Sequence, residues 1–155
     1  SNTDDPAQLA RVLHALARIR RPVCWPMHPR TRAALVRHRL RVPSHVRVEE
    51  PFGYRALVCA LDGAWAVVTD SGGLQKEAYW LGTPCLTLRT ETEWVETVAS
   101  GWNRLVDLNA DDLAALVEAV HRPDGARDAY GSVGAASRIV KTIERRFGGV
   151  CRAAA

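Results

Sequence analysis

The sequence predicts an α/β fold: a parallel sheet covered by helices on both faces. Two observations carry that expectation. Short apolar runs alternate with stretches of helical periodicity along the whole chain. The apolar runs also lack the in-out alternation of a sheet with one wet face, so they read as strands buried on both sides. At 155 residues, the chain has the length of one domain.

The elements follow in order. Asp4-Asp5-Pro6 opens a helix, with an Asp N-cap and Pro at the first helical position. Leu9, Val12, Leu13, Leu16 and Ile19 continue it at helical spacing. Pro22 to Pro26 is a short buried strand. Pro29 opens a second helix with Ala33, Leu35, Val36 and Leu40 among its apolar positions. Val46-Arg47-Val48 is a brief strand, and Tyr54 to Leu61 is a helix entered through Gly53. Ala64 to Thr69 is the strongest strand signal. It runs through Asp70-Ser71-Gly72-Gly73 into a helix over Leu74 to Leu81 that Gly82 ends. On that helix Leu74, Ala78 and Leu81 form the expected core face, with Tyr79 and Trp80 as packing residues. Pro84 to Leu88 is a further buried strand. Thr92 to Ala99 is a short helix closed by Gly101, and Asn103 to Asp107 is the last strand. Asp111 to His121 and Gly134 to Phe147 are closing helices.

Composition narrows the function classes. Hydrophobic residues make up 47% and charged residues 25%, values ordinary for a globular protein. No apolar run approaches the ~18 residues that span a bilayer, and the polar, acidic start is not that of a secretory leader. Residues 1–48 hold ten arginines and two acids, a balance of +8. The remainder holds eleven basic and fifteen acidic residues, a balance of −4. Aromatics do not interleave with these arginines, so the basic half suits a solvated face or one anionic small molecule better than a nucleic acid. The four cysteines form no Cys-x-x-Cys pair, which argues against a zinc or redox motif. Cys24, Cys59 and Cys85 read as buried free thiols.

In parallel α/β folds ligands bind at the carboxyl ends of the strands. That rule selects Met27 to Arg30, Thr69 to Gly73 and Arg89 to Glu93. At Ser71-Gly72-Gly73 a strand passes directly into a helix. Two glycines allow close approach, and the first helical amides are unpaired, which suits phosphate. A plain strand-to-helix turn explains the glycines equally well. A single Asp-Ser-Gly followed by a helix does not fit an aspartic protease, which needs two facing carboxylates. Glu77 shares a helix face with the turn, and its carboxylate could accept from a ribose diol. Taken alone, it reads as an exposed glutamate near a positive helix end. His28 and Arg30 are candidates for phosphate or sugar oxygens, against a satisfied loop histidine and a solvated arginine. The other histidines have no ligand-like spacing. Arg89, at a strand end, is a candidate anion clamp. The acids of Arg89 to Glu96 are explained by a Thr90–Glu93 capping box better than by acid/base catalysis.

Taken together, Thr69-Asp-Ser-Gly-Gly-Leu-Gln-Lys-Glu-Ala78, Leu81-Gly-Thr-Pro-Cys85, Arg89-Thr-Glu-Thr-Glu-Trp-Val-Glu-Thr97 and Gly101 to Val106 closely resemble the non-hydrolysing UDP-N-acetylglucosamine 2-epimerases. Pro26 to Thr31 and Pro51 to Tyr54 resemble the same family in the same order. The likeness covers most of residues 2–106 and then thins. It implies the C-terminal half of a GT-B fold, two Rossmann-like domains with a nucleotide-sugar in the cleft between them. All of residues 1–155 would then be the C-terminal UDP-binding domain. Ser71, Gly72 and Gly73 match the residues that hold the diphosphate, and Glu77 the one that binds the ribose hydroxyls. Phe52 to Leu57 match the stretch beside uracil. The implied reaction interconverts UDP-GlcNAc and UDP-ManNAc by elimination of UDP and its re-addition on the other face of the sugar.

The carboxylates of proton transfer belong to the family's N-terminal domain, so no catalytic residue is expected here and the chain alone should be inactive. Some members carry an arginine where this chain has Trp94, which takes no ionic role. The resemblance implies no cofactor and no metal. The expected partners are the UDP-sugar and an N-terminal domain, in a cytoplasmic enzyme that is a homodimer when intact, without nucleic acid or membrane. Two other readings stay open: a GT-B glycosyltransferase, and a stand-alone nucleotide-binding module. In the family a further strand precedes the stretch matching Asn2 to Pro6, near mid-sheet. Val23–Trp25 and Ala66–Thr69 are therefore expected to lack a neighbour, the slot being filled by another chain, by rearrangement or by further sequence.

Overall fold

The computed structural model describes residues 5–131 and 133–147. Its order is α1 (Pro6–Arg18), β1 (Val23–Pro26), α2 (Pro29–Arg37), β2 (Val46–Glu49), α3 (Tyr54–Asp62), β3 (Val67–Thr69), α4 (Gly72–Leu81), β4 (Cys85–Thr87), α5 (Val95–Ala99), β5 (Asn103–Leu105), α6 (Leu113–Ala119) and α7 (Ala135–Phe147). The predicted alternation is therefore present, and every strand pair is parallel. Asp5 Oδ1 accepts from the Ala7 amide at 2.9 Å, and Pro6 opens α1, as the sequence predicts.

The strands do not form one continuous sheet. Among the described residues β1 pairs only with β2, while β3, β4 and β5 form a separate three-stranded sheet. This is the expected missing neighbour. Val67 N donates to Pro84 O, and Thr69 O accepts from Leu88 N. Val67 and Thr69 thus turn their backbone groups toward β4, and those of Val68 point the other way.

One core nevertheless joins the two sheets. Val12 and Leu16 of α1, Val46 of β2, Leu86 of β4 and Leu113 and Val117 of α6 cluster together, with Val23, Trp25 and Val68 packed against them. A second cluster puts Leu9 and Leu13 of α1 on Met27 and on Leu35 of α2. β4 is buried at every position. Leu86 faces the α1 and α6 side, and Thr87 faces Asn103 on the other, toward α4 and α5. Helices therefore cover both faces of this sheet.

Several expectations need correction. α4 starts at Gly72, so the two glycines form its first turn rather than a preceding loop. Its buried residues are Gln75, Ala78 and Tyr79, while Trp80 is half exposed. α5 starts at Val95, and no capping box forms: Glu93 pairs with Arg89 instead. Among the described residues only Cys85 is a buried thiol. Cys24 points out of β1, and Cys59 lies on the outer side of α3, because a short element buries one face only. Cys151 lies outside the described residues. The closing helix α7 buries none of its residues, and Ile139, Val140, Ile143 and Phe147 are all exposed.

Candidate functional site

The candidate site lies where β3 and β4 end. Thr69 closes β3, and its hydroxyl accepts from the Ser71 amide at 3.0 Å, turning the chain into α4. Ser71 is the N-cap, yet its side chain makes no capping bond. The first α-type bond of the helix is Gln75 N to Ser71 O at 3.4 Å. The amides of Gly72, Gly73 and Leu74 precede it and have no such partner. They form an open cradle of donors at the positive end of a ten-residue helix.

Glu93 leans over this cradle. A Cβ on Gly72 would stand against Glu93 Oε1, the far end of a flexible side chain that closes on the first turn of α4. Glu93 Oε2 also holds Arg89 Nη1 at 3.1 Å. Arg89, the predicted anion clamp, is thereby brought to the Gly72 turn through a carboxylate. Asp70 and Arg89 also line a cleft of about 650 Å³, together with Asp5, Glu91 and Asp107. The amide of Asn109 holds the Asp107 carboxyl below its usual range.

Behind the cradle lies a buried polar network that the sequence reading missed. Gln75 is fully buried. Its Oε1 accepts from Thr92 Oγ1 at 2.6 Å and from Asn103 Nδ2 at 3.0 Å, and its Nε2 donates to Ser71 O at 3.4 Å. Asn103 Nδ2 also donates to Thr97 Oγ1, and Asn103 Oδ1 accepts from Thr87 Oγ1 at 2.7 Å. Thr92 Oγ1 in turn accepts from the Trp94 amide. The turn, the 89–94 segment and two strands are thus one hydrogen-bonded unit. Helical spacing held the signal, since position 75 shares a face with Ala78 and Tyr79.

The remaining expected site residues sit elsewhere. His28 is the N-cap of α2, its Nδ1 accepting from the Arg30 amide at 3.2 Å. His28 and Arg30 lie at the carboxyl end of β1, in the other sheet. Phe52 and Leu57 are half buried around the start of α3, which packs against α4. Glu77 is half buried on α4, one turn from Gly73. No group of three or more potential metal ligands occurs among the described residues.

The profile of the family described as UDP-N-acetylglucosamine 2-epimerase matches residues 1–144. The UDP-2,3-diacetamido-2,3-dideoxy-D-glucuronate 2-epimerase of Pseudomonas aeruginosa is 39% identical over 151 residues, 93% of this chain and 42% of its own length. A UDP-N-acetylglucosamine 2-epimerase homolog of Methanococcus maripaludis is 36% identical over 92% of this chain and 41% of its own. The crystal structure of the Methanocaldococcus jannaschii UDP-GlcNAc 2-epimerase in complex with UDP-GlcNAc and UDP aligns with a TM-score of 0.80 at 30% identity. That alignment covers 93% of this chain and 42% of that one. This chain spans about two fifths of the length of these relatives. Matched over nearly its whole length in sequence and in fold, the chain belongs to the UDP-N-acetylglucosamine 2-epimerase family.

Proposed function

We propose that this chain is the UDP-binding half of a nucleotide-sugar 2-epimerase, an isomerase that interconverts UDP-GlcNAc and UDP-ManNAc. The open amides of Gly72, Gly73 and Leu74 at the mouth of α4 are the observation that carries this reading. They supply oriented donors and a positive helix end for a diphosphate, with the Ser71 hydroxyl alongside. Glu77 accepts from the ribose hydroxyls, and Phe52 to Leu57 flank the uracil. Arg89 joins the anion grip after it leaves Glu93, while His28 and Arg30, at the carboxyl end of β1 in the other sheet, are read as reaching the phosphate or sugar oxygens from that side. In an elimination and re-addition route, the charge on the departing UDP grows as its bond to the sugar breaks. Fixed amides that bind that charge favour the step without reorganising.

The proton at carbon 2 needs carboxylates that this reading places on an N-terminal domain, so the chain alone binds UDP weakly and does not turn over. The chain covers two fifths of its relatives' length, which supports a second domain. So does the uncovered apolar face of α7, which a partner surface would bury. The intact enzyme is read as a cytoplasmic homodimer. No helix among the described residues is long and apolar enough to cross a membrane.

The test incubates the full encoded protein with UDP-GlcNAc and no acceptor. Appearance of the manno epimer supports the reading. UDP binding with neither epimerisation nor transfer overturns it in favour of a nucleotide-binding module, and sugar transfer only when an acceptor is added overturns it in favour of a glycosyltransferase. Calorimetry on this chain checks the division of labour, because sustained epimerisation by the chain alone would refute it.

A further inference from the structure

Lys76 lies on α4 between the buried Gln75 and Glu77, and its ammonium sits in a cage of three aromatic rings. Its Nζ is 4.4 Å from the ring centre of Trp94, 4.6 Å from that of Tyr130 and 5.0 Å from that of Trp80. No carboxylate of a described residue pairs with it. A cation held only by ring faces is bound by their quadrupoles, and the rings are fixed in return. Tyr130 stands edge-on to Trp94 at 5.8 Å, and its O–H donates to Glu96 Oε2 at 3.0 Å. Burial and this carboxylate push the Tyr130 phenol up to about 12, so it stays neutral.

The cage fixes one side chain of the site. The Nε1 of Trp94 is 3.7 Å from where a Cβ on Gly72 would stand, beside Glu93. This N–H is buried and has no hydrogen-bond partner. A buried donor without an acceptor needs a reason. The acceptor-free donor faces the first turn of α4, where the Glu93 carboxylate stands beside Gly72. A phosphate taking that place would displace the flexible Glu93 side chain and give the indole an acceptor.

Resting on the UDP-binding reading, we infer that Lys76 is a positioning residue: its aromatic cage holds the Trp94 indole N–H at Gly72 to donate to a phosphate oxygen of the bound nucleotide. Trp94 thereby contributes a neutral donor and no charge.

The experiment compares UDP with uridine, which lacks the phosphates, on the full encoded protein, by calorimetry and by NMR titration. Trp94→Phe keeps a ring in the cage and deletes the N–H. It is expected to weaken UDP about tenfold and to leave uridine within twofold. Lys76→Met is expected to weaken UDP about threefold to fivefold, again sparing uridine, while Lys76→Arg restores it. UDP binding by Trp94→Phe at the wild-type level overturns the proposal while leaving the parent reading intact. An equal loss for UDP and uridine in Lys76→Met, with a lowered melting temperature, also overturns it, since the cage is then structural only. Failure of the wild type to bind UDP overturns the parent reading, and this inference with it.

Discussion

Gln75 carries no charge and touches no solvent, yet it ties the phosphate-cradle turn to the 89–94 segment. Gln75→Leu fills a similar volume but removes the acceptor of the half-buried Thr92 hydroxyl and one of the two acceptors of the buried Asn103 Nδ2, which keeps Thr97 Oγ1. The expected cost is about 1–3 kcal/mol, read as a lower urea midpoint at unchanged slope. A midpoint equal to that of the wild type would show that the network does not hold the turn. Cys85 gives a second prediction. Burial pushes its thiol up to about 11, despite the Thr87 hydroxyl beside it. At pH 8 it is therefore neutral, and only the thiolate is nucleophilic. In a Cys151→Ser background, a thiol reagent should modify Cys24 and Cys59 quickly, and Cys85 only on unfolding. Sequence reading found the glycine turn because small residues between a strand and a helix leave a visible mark. It could not find the partners of Gln75, Lys76 or Glu93. Those are set by which segments meet in space, and each residue alone looks like ordinary helix or loop surface.

At the scale of the element, helix starts that rest on the chain's own neighbours were legible, and those that depend on distant contacts were not. α1 begins at its Asp–Pro signal. α5 does not use its Thr90–Glu93 signal, because Arg89 takes Glu93 and Gln75 takes Thr92. α6 begins at Asp112, whose Oδ1 accepts from the Ala114 and Ala115 amides while Oδ2 accepts from Arg18 at 2.6 Å. The Ala115 amide leads in holding this carboxyl below its ordinary 3.8, and Arg18 adds to it. A depressed folded-state value means stabilisation that is present above the unfolded value and lost as pH falls through the folded one. Asp112→Asn keeps a capping oxygen and removes the charge. It should melt below the wild type at pH 7, and the difference should close as pH falls below the carboxylate range. A difference unchanged at pH 3 would assign the effect to hydrogen-bond geometry and not to charge. At the other end of α4, Gly82 has φ 72°, and Arg127 lies where its Cβ would go. Arg127 donates to Tyr79 O and Trp80 O there. Gly82→Ala should lower stability by about 1–2 kcal/mol through both strain and loss of that cap.

Over the whole molecule, one core spans two sheets that share no hydrogen bond among the described residues. The α/β class was legible because buried parallel strands and amphipathic helices carry different periods. The split was legible only by resemblance, because strand pairing is a property of neighbours and not of a single run. It makes a backbone prediction. β4 is paired on both sides, so Leu86 should show strong amide protection. On β3, Val67 donates to Pro84 O, and its neighbour Val68 directs its N–H away from β4, toward the side on which β3 has no partner. β1 has the same asymmetry. Met27 N donates to Glu49 O, so Pro26, which has no N–H, falls on the side away from β2. A proline there costs no ladder bond. Hydrogen exchange followed by NMR on this chain should show Val68 exchanging much faster than Val67 and Leu86. If a further strand of the full encoded protein pairs between β1 and β3, Val68 becomes protected there while Val67 hardly changes. Equal protection of Val68 in both forms would mean that the slot is closed within this chain, and that the two sheets are joined in solution.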